Sequence, residues 1–179
     1  MRHPLTALFL AGVSLSVLGC GSETAAPPSP KCMEIASYAA TTVTPPSFMT
    51  DIYPIFSSTN TTNGCGMALI CHGTPPMPID KAMTKTLSFI DPAATVKAAL
   101  LMNSIHAPGM ARVAPGSVPN SFLAYKISGA DGLSCVNSMC TSTDGVGTPP
   151  CGDVMPSLGK IADADRTKIL DWIALGAAD

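Results

Sequence analysis

The sequence predicts a small all-α fold. Three apolar stretches, near residues 48–56, 93–103 and 164–175, set large aliphatic and aromatic side chains at helical spacing. No alternation of apolar and polar residues lasts more than a few positions, so no strand is expected. Seventeen prolines and fifteen glycines break up the remainder, which therefore reads as turns and long loops.

The first of these helices is expected across Phe48 to Phe56. Ser47 supplies a side-chain cap, and Phe48, Ile52, Ile55 and Phe56 then fall near one face. Pro54 is a defect there unless it lies in the first turn, so the helix is expected to bend or to start late. Asn60 to Gly64 is a polar turn. Thr74 to Pro78 is stiff and extended, because its prolines lack donors and bias their predecessors away from helix. Asp91-Pro92 predicts the next start, with an aspartate cap and proline at the first helical position. That helix runs to about Asn103, exposing Lys97 and burying Val96, Leu100 and Leu101. After a turn from Val113 to Pro119, Asn120 or Ser121 opens a short helix carrying Phe122, Leu123, Tyr125 and Ile127. Gly129 to Gly152 reads as one Gly/Ser/Thr/Cys-rich loop, and a loop of that length calls for covalent pinning or a functional role. Asp163 caps the last helix, Ala164 to Leu175, and Gly176 stops it. Ile169, Leu170, Trp172, Ile173 and Leu175 form its apolar side, and Trp172 is expected to pack it on the first helix. Asp163, Asp165 and Asp171 read as cap and exposed face.

The N-terminus reads as a targeting segment. Arg2 precedes an apolar run, Leu5 to Leu18, that falls short of the ~20 residues needed to span a bilayer. The run ends in Val17-Leu18-Gly19-Cys20, which resembles a bacterial lipoprotein signal. That resemblance implies cleavage before Cys20 and a lipid on Cys20. With Gly21-Ser22 following and no aspartate, it also implies the outer membrane, facing the periplasm or the surface. The plainer alternative is a secretory peptide that leaves Cys20 free; export follows either way. Residues 1–19 are then the signal, and 20–46 the lipidated cysteine with a Pro/Ser/Ala-rich tether. Residues 47–179 are the folded domain. The formal net charge is −2 and no basic cluster occurs, which argues against nucleic acid as a partner.

Seven cysteines in an exported chain imply an oxidising compartment. Cys135, Cys140 and Cys151 read as structural, one pair closing the 129–152 loop and Cys32 joining the third. Zinc is disfavoured in such a compartment. The most informative stretch is Gly64 to Gly73, which holds Cys65, Cys71 and His72. A Cys-x-x-Cys-His run marks covalent haem attachment, but here five residues separate the cysteines. His72 is the candidate proximal ligand, since an imidazole nitrogen is a good axial donor. Three residues added to a continuous helix would advance Cys65 by about 4.5 Å and rotate it by about 300°. A looped insert could bring its sulfur back. The alternative is a Cys65–Cys71 disulfide. It needs a turn, because a straight helix would separate the Cα atoms by about 9 Å against the usual ~4.4–6.8 Å. His106 reads as a structural or surface residue. No Ser/His/Asp set, paired-carboxylate site or phosphate loop stands out, so the sequence does not read as an enzyme.

Taken in order, several segments resemble the cytochrome c-like domains of exported bacterial lipoproteins of the myxobacterial and planctomycete kind. They are Asp51 to Phe56, Cys71-His72-Gly73, Leu87-Ser88-Phe89, Arg112 to Leu123, Met155-Pro156 and Ile169 to Ala177. The resemblance spans residues 48–178 and departs from the family at the Cys65–Cys71 spacing. It implies a small cytochrome c-like helical domain with long, disulfide-pinned loops. It implies haem c held through Cys65 and Cys71, with His72 and Met155 as axial ligands, exchanging single electrons with redox partner proteins of the cell envelope. Arg112, with its planar fork, is a candidate partner for a haem propionate. Met77 lies too near His72 to cross to the distal side, and Met110 is a weaker spare. The competing expectation is a haem-free domain that keeps the scaffold as a structural or interaction module.

Overall fold

Ser29-Pro30 is a helix start, with a capping hydroxyl followed by a residue whose missing N–H costs nothing at the first helical position. In the computed structural model, which describes residues 28–57, 87–89, 91–141, 150–156 and 160–179, that start is used. Helix α1 spans Pro30–Ala36, and the Ser29 hydroxyl accepts from the Cys32 N–H. Ile35 is fully buried and Cys32 is bonded to Cys135. The stretch expected to be tether up to residue 46 is therefore folded from Pro30 onward.

The expected first helix is split at its proline. Ser47 caps it as anticipated, accepting from the Thr50 N–H. Phe48–Ile52 then forms a wide turn with the Tyr53 N–H bonded to the Phe48 carbonyl, and α2 follows as Tyr53–Ser57. Pro54 falls in the first turn of α2, where its lack of a donor does no harm. Phe48, Ile52 and Phe56 are fully buried.

Helix α3 is Ala93–Leu100, shorter than expected. Pro92 has an extended ψ of 139° and itself takes the cap position, so the Asp91 side chain makes no cap. The Asp91 carbonyl instead accepts from the Tyr53 hydroxyl. Val96 and Leu100 are buried, but Leu101 is exposed, because the helix ends before it. Lys97 is half-buried and pairs with Asp179 at 2.7 Å.

Residues 111–113 thread between the end of α3 and the next helix. The Arg112 and Val113 N–H groups donate to the Met102 and Leu100 carbonyls, and the Leu123 N–H donates back to Arg112. Among the described residues there is no strand, only isolated bridges at Asn103–Ala111 and Ala111–Ser121. Helix α4 is Phe122–Lys126. Ser121 stands at its cap position without capping it. Its hydroxyl accepts from the Ala114 N–H and donates to the Ser117 carbonyl, which closes the 114–121 turn.

The region read as one long loop contains α5, Gly129–Ser134, and a tight turn at Asn137–Met139. Gly132 lets α5 dock on the end of α4: a Cβ there would stand 2.7 Å from the Tyr125 carbonyl oxygen. The cysteines follow the anticipated scheme of one loop pair with Cys32 on the third, and the structure supplies the pairing that the sequence left open. Cys140–Cys151 closes the loop, and Cys32–Cys135 joins α1 to α5.

The last helix, α6, is Asp163–Ala174. Ala162 takes the cap position, and the Asp163 carboxylate pairs with exposed Lys160 at 2.9 Å. Gly176, at φ +102°, ends the helix as expected. Trp172 is fully buried, with its ring 5.2 Å from that of Phe48, so the last helix packs on the first stretch as anticipated. Asp171 is not on an exposed face but only 3% exposed. Its carboxylate accepts from the Tyr38 hydroxyl at 2.8 Å, the Thr41 N–H at 2.8 Å and the Thr41 hydroxyl at 2.6 Å. Residues 38–41, read as tether, cover it. Burial, reinforced by this neighbouring carboxylate, pushes the Tyr38 hydroxyl well above its usual pKa.

Replacing Asp171 with alanine should lower the unfolding free energy by about 3 kcal/mol, because it strips the shared acceptor from Tyr38 and Thr41. Urea unfolding of the oxidised protein should show a lower midpoint at an unchanged slope. A change within about 0.5 kcal/mol would show that this carboxylate is not a stabilising centre.

Candidate functional site

Cys65, Cys71 and His72 lie outside the described residues, as do Met77 and the anchor cysteine, Cys20. The flanks of the 58–86 segment are described, and they are held together. Phe56, just before it, stacks on Phe89, just after it, at 4.8 Å between centroids and 10° between planes. The Tyr53 hydroxyl reaches across to the Asp91 carbonyl at 2.9 Å. The described residues on either side of positions 58–86 thus meet at one place in the core.

Met155 lies in the other segment of interest, residues 150–156. It is half-buried and packs against the core. Its N–H donates to the Lys126 carbonyl at 2.9 Å. The Lys126 side chain turns back on the same segment: its ammonium donates to the Cys151 carbonyl at 3.1 Å and to the Asp153 carbonyl. Lys126 is only 9% exposed, and burial pulls its pKa down to about 8, with the Asp153 charge opposing. Gly152 sits between the two carbonyls at φ +66°. A Cβ there would lie 3.3 Å from the Lys126 Nζ and 3.5 Å from the His106 Nε2. His106 is half-buried, with its carbonyl bonded to the Thr141 N–H at 2.8 Å. The structure therefore brings Lys126, His106, the Cys140–Cys151 bond and Met155 to one segment.

A thioether sulfur in a loop pinned at several points suits an axial ligand. Met110, the spare, is buried in the core. Arg112 is also buried, and its Nη1 donates to the Ala99 carbonyl at 2.7 Å. Desolvation lowers its pKa. Its guanidinium ties α3 to the 111–113 thread, so the use the structure displays is in building the fold. Among the described residues no group of three or more His, Cys, Asp and Glu side chains could hold a metal ion by itself.

A concavity of about 390 Å³ lies between residues 42–46 and α6, with Asp51, Thr167, Lys168 and Asp171 in its lining. Both carboxylates are already engaged, Asp51 by the Ser47 N–H and Asp171 by Tyr38 and Thr41. Lys126 is the residue that sequence reasoning missed. Its signal was present as a single cation inside the apolar run Phe122 to Ile127.

Comparison with models of known protein families, with curated proteins and with solved structures finds no match to this chain.

The lowered pKa has a measurable consequence. Between about pH 8 and the ordinary lysine value of 10.5, the folded chain binds fewer protons at Lys126 than the unfolded chain does. Its burial penalty therefore fades, and stability rises, as pH increases through that window. Relative to Lys126→Met, the wild type should gain stability between pH 8 and pH 10, read from denaturant midpoints of the two proteins. A difference that stays constant with pH would show that the amine is not desolvated.

Proposed function

We propose that this protein is a c-type haem-binding electron-transfer lipoprotein of the cell envelope. The observation that carries the reading is Cys71-His72-Gly73, set in a segment whose flanks are pinned by the Phe56–Phe89 stack. The sulfur of Met155, in a separately pinned segment before the last helix, supports it. On this reading Cys71, with Cys65 where the longer spacing permits, would hold haem c covalently, and His72 and Met155 would supply nitrogen and sulfur donors to its iron. The group supplies a one-electron Fe(II)/Fe(III) couple when bound. The chain's part is to fix the two donors and to exclude bulk water, and Met/His ligation raises the potential. Arg112, engaged with Ala99, is left out of the proposed site. Redox partner proteins of the envelope would exchange the electron. A lipid on Cys20 would keep the domain at the outer membrane, on its periplasmic or surface side.

A second reading is favoured by one observation: the described helices already form a core closed by two disulfides. That core would serve equally as a haem-free structural or interaction module, with Cys65 and Cys71 paired.

The test is a pyridine haemochrome spectrum with intact mass, on protein exported in a host with active cytochrome c maturation. Haem mass retained after denaturation, and loss of the low-spin spectrum in His72→Ala and Met155→Ala, is the expected result. A colourless protein with the mass of three disulfides would establish the second reading instead.

A further inference from the structure

Residues 151–155 are restrained three times over, and two of the restraints come from one residue. The Cys140–Cys151 bond fixes the start of the segment. The Lys126 carbonyl accepts from the Met155 N–H, and the Lys126 ammonium donates to the carbonyls on either side of Gly152. Gly152 makes room for that ammonium, since any side chain would begin 3.3 Å from it. An ammonium is costly to bury. Methionine would fill the same volume in the run Phe122 to Ile127, where every residue is buried, without that cost. What methionine could not do is hold two carbonyl oxygens at once. A methionine side chain is unbranched and adaptable, so where its sulfur sits depends on how firmly its backbone is held.

We propose that Lys126 is a positioning residue for Met155, clamping the Cys151 and Asp153 carbonyls so that the thioether is presented at one place. The inference rests on the reading of Met155 as an axial ligand. Groups that orient a metal ligand from behind tune the metal as well as its affinity. Loosening the clamp should therefore weaken sulfur ligation while leaving haem attachment, which depends on Cys71, intact.

The experiment uses the full chain, exported and haem-loaded, as wild type, Met155→Ala, Lys126→Met and Gly152→Ala. The readouts are haem content, the sulfur-to-iron charge-transfer absorption of the oxidised protein, the reduction potential, and amide exchange. Lys126→Met should keep the haem content of the wild type. It should lose part of the charge-transfer absorption and shift the potential downward toward that of Met155→Ala. Exchange at residues 151–155 should speed by about tenfold or more, the loss of a charge-assisted hydrogen bond, with α6 unchanged. Gly152→Ala keeps the cation and crowds its seat, so it should move absorption and potential the same way, and it carries the test if Lys126→Met does not fold. Wild-type absorption and potential in the folded Lys126 and Gly152 variants would overturn the positioning role. An unchanged spectrum in Met155→Ala, or no haem in the wild type, would overturn the ligand reading beneath it.

Discussion

The fold hangs on two adjacent residues of the last helix. Trp172 is fully buried against Phe48, and its ring nitrogen donates to the Ala178 carbonyl at 2.8 Å. Asp171, on the neighbouring face, gathers Tyr38 and Thr41. One residue thus holds the start of the hydrophobic core and the other holds the N-terminal segment, so both attachments run through a single turn of helix. An indole of this size contributes by burial and by ring contact, each on the order of a kcal/mol or more. The carboxylate contributes differently. A buried charge is tolerable only when its acceptor capacity is filled, and here three donors fill it. The Gly116 N–H adds a bond to the Ile173 carbonyl at 2.8 Å, which brings the 114–121 turn onto the same helix.

Around this centre the chain treats its two segments of interest alike. The described residues beside positions 58–86 are fastened by stacked aromatics, and residues 150–156 by a disulfide and a lysine. The fastenings differ in kind. Aromatic stacking is apolar and indifferent to direction along the backbone, whereas an ammonium on two carbonyls specifies orientation as well as place.

The parts of this fold governed by local chemistry were legible in the sequence. Ser47 capped what it was expected to cap, and Pro54 shifted the start of α2 for the reason that makes proline awkward in a helix. Gly176 ended the last helix, and one loop cysteine pair with Cys32 on the third cysteine was expected, although which of the three would take Cys32 was left open. The parts that depend on what lies opposite were not legible. Asp91 and Asp163 are good caps by type, but backbone angles at Pro92 and Ala162 moved the first helix start one residue onward and the second one residue back. Asp171 looked like a solvent-facing residue because nothing local shows that Tyr38 and Thr41 return to cover it. Residues 30–46 are poor in apolar periodicity, so their docking through one isoleucine, one disulfide and one carboxylate left no pattern to read. Met155 was singled out by its place before the last helix, and the structure places it in a segment held by Lys126. Lys126 was hidden because a lone cation in an apolar helix gives no sign of which carbonyls it will meet.

The Cys32–Cys135 bond spans 103 positions of the chain and so makes a large covalent ring. A single backbone nick anywhere inside that ring opens it without parting the molecule in two. Release of a fragment from it takes a second cut or a reductant. The smaller ring from Cys140 to Cys151 behaves likewise over 11 positions. Between them the two rings cover most of the chain beyond residue 32. Covalent continuity is thereby separated from backbone integrity, and the residues upstream of Cys32 stay joined to the last helix after the chain has been cut once within either ring.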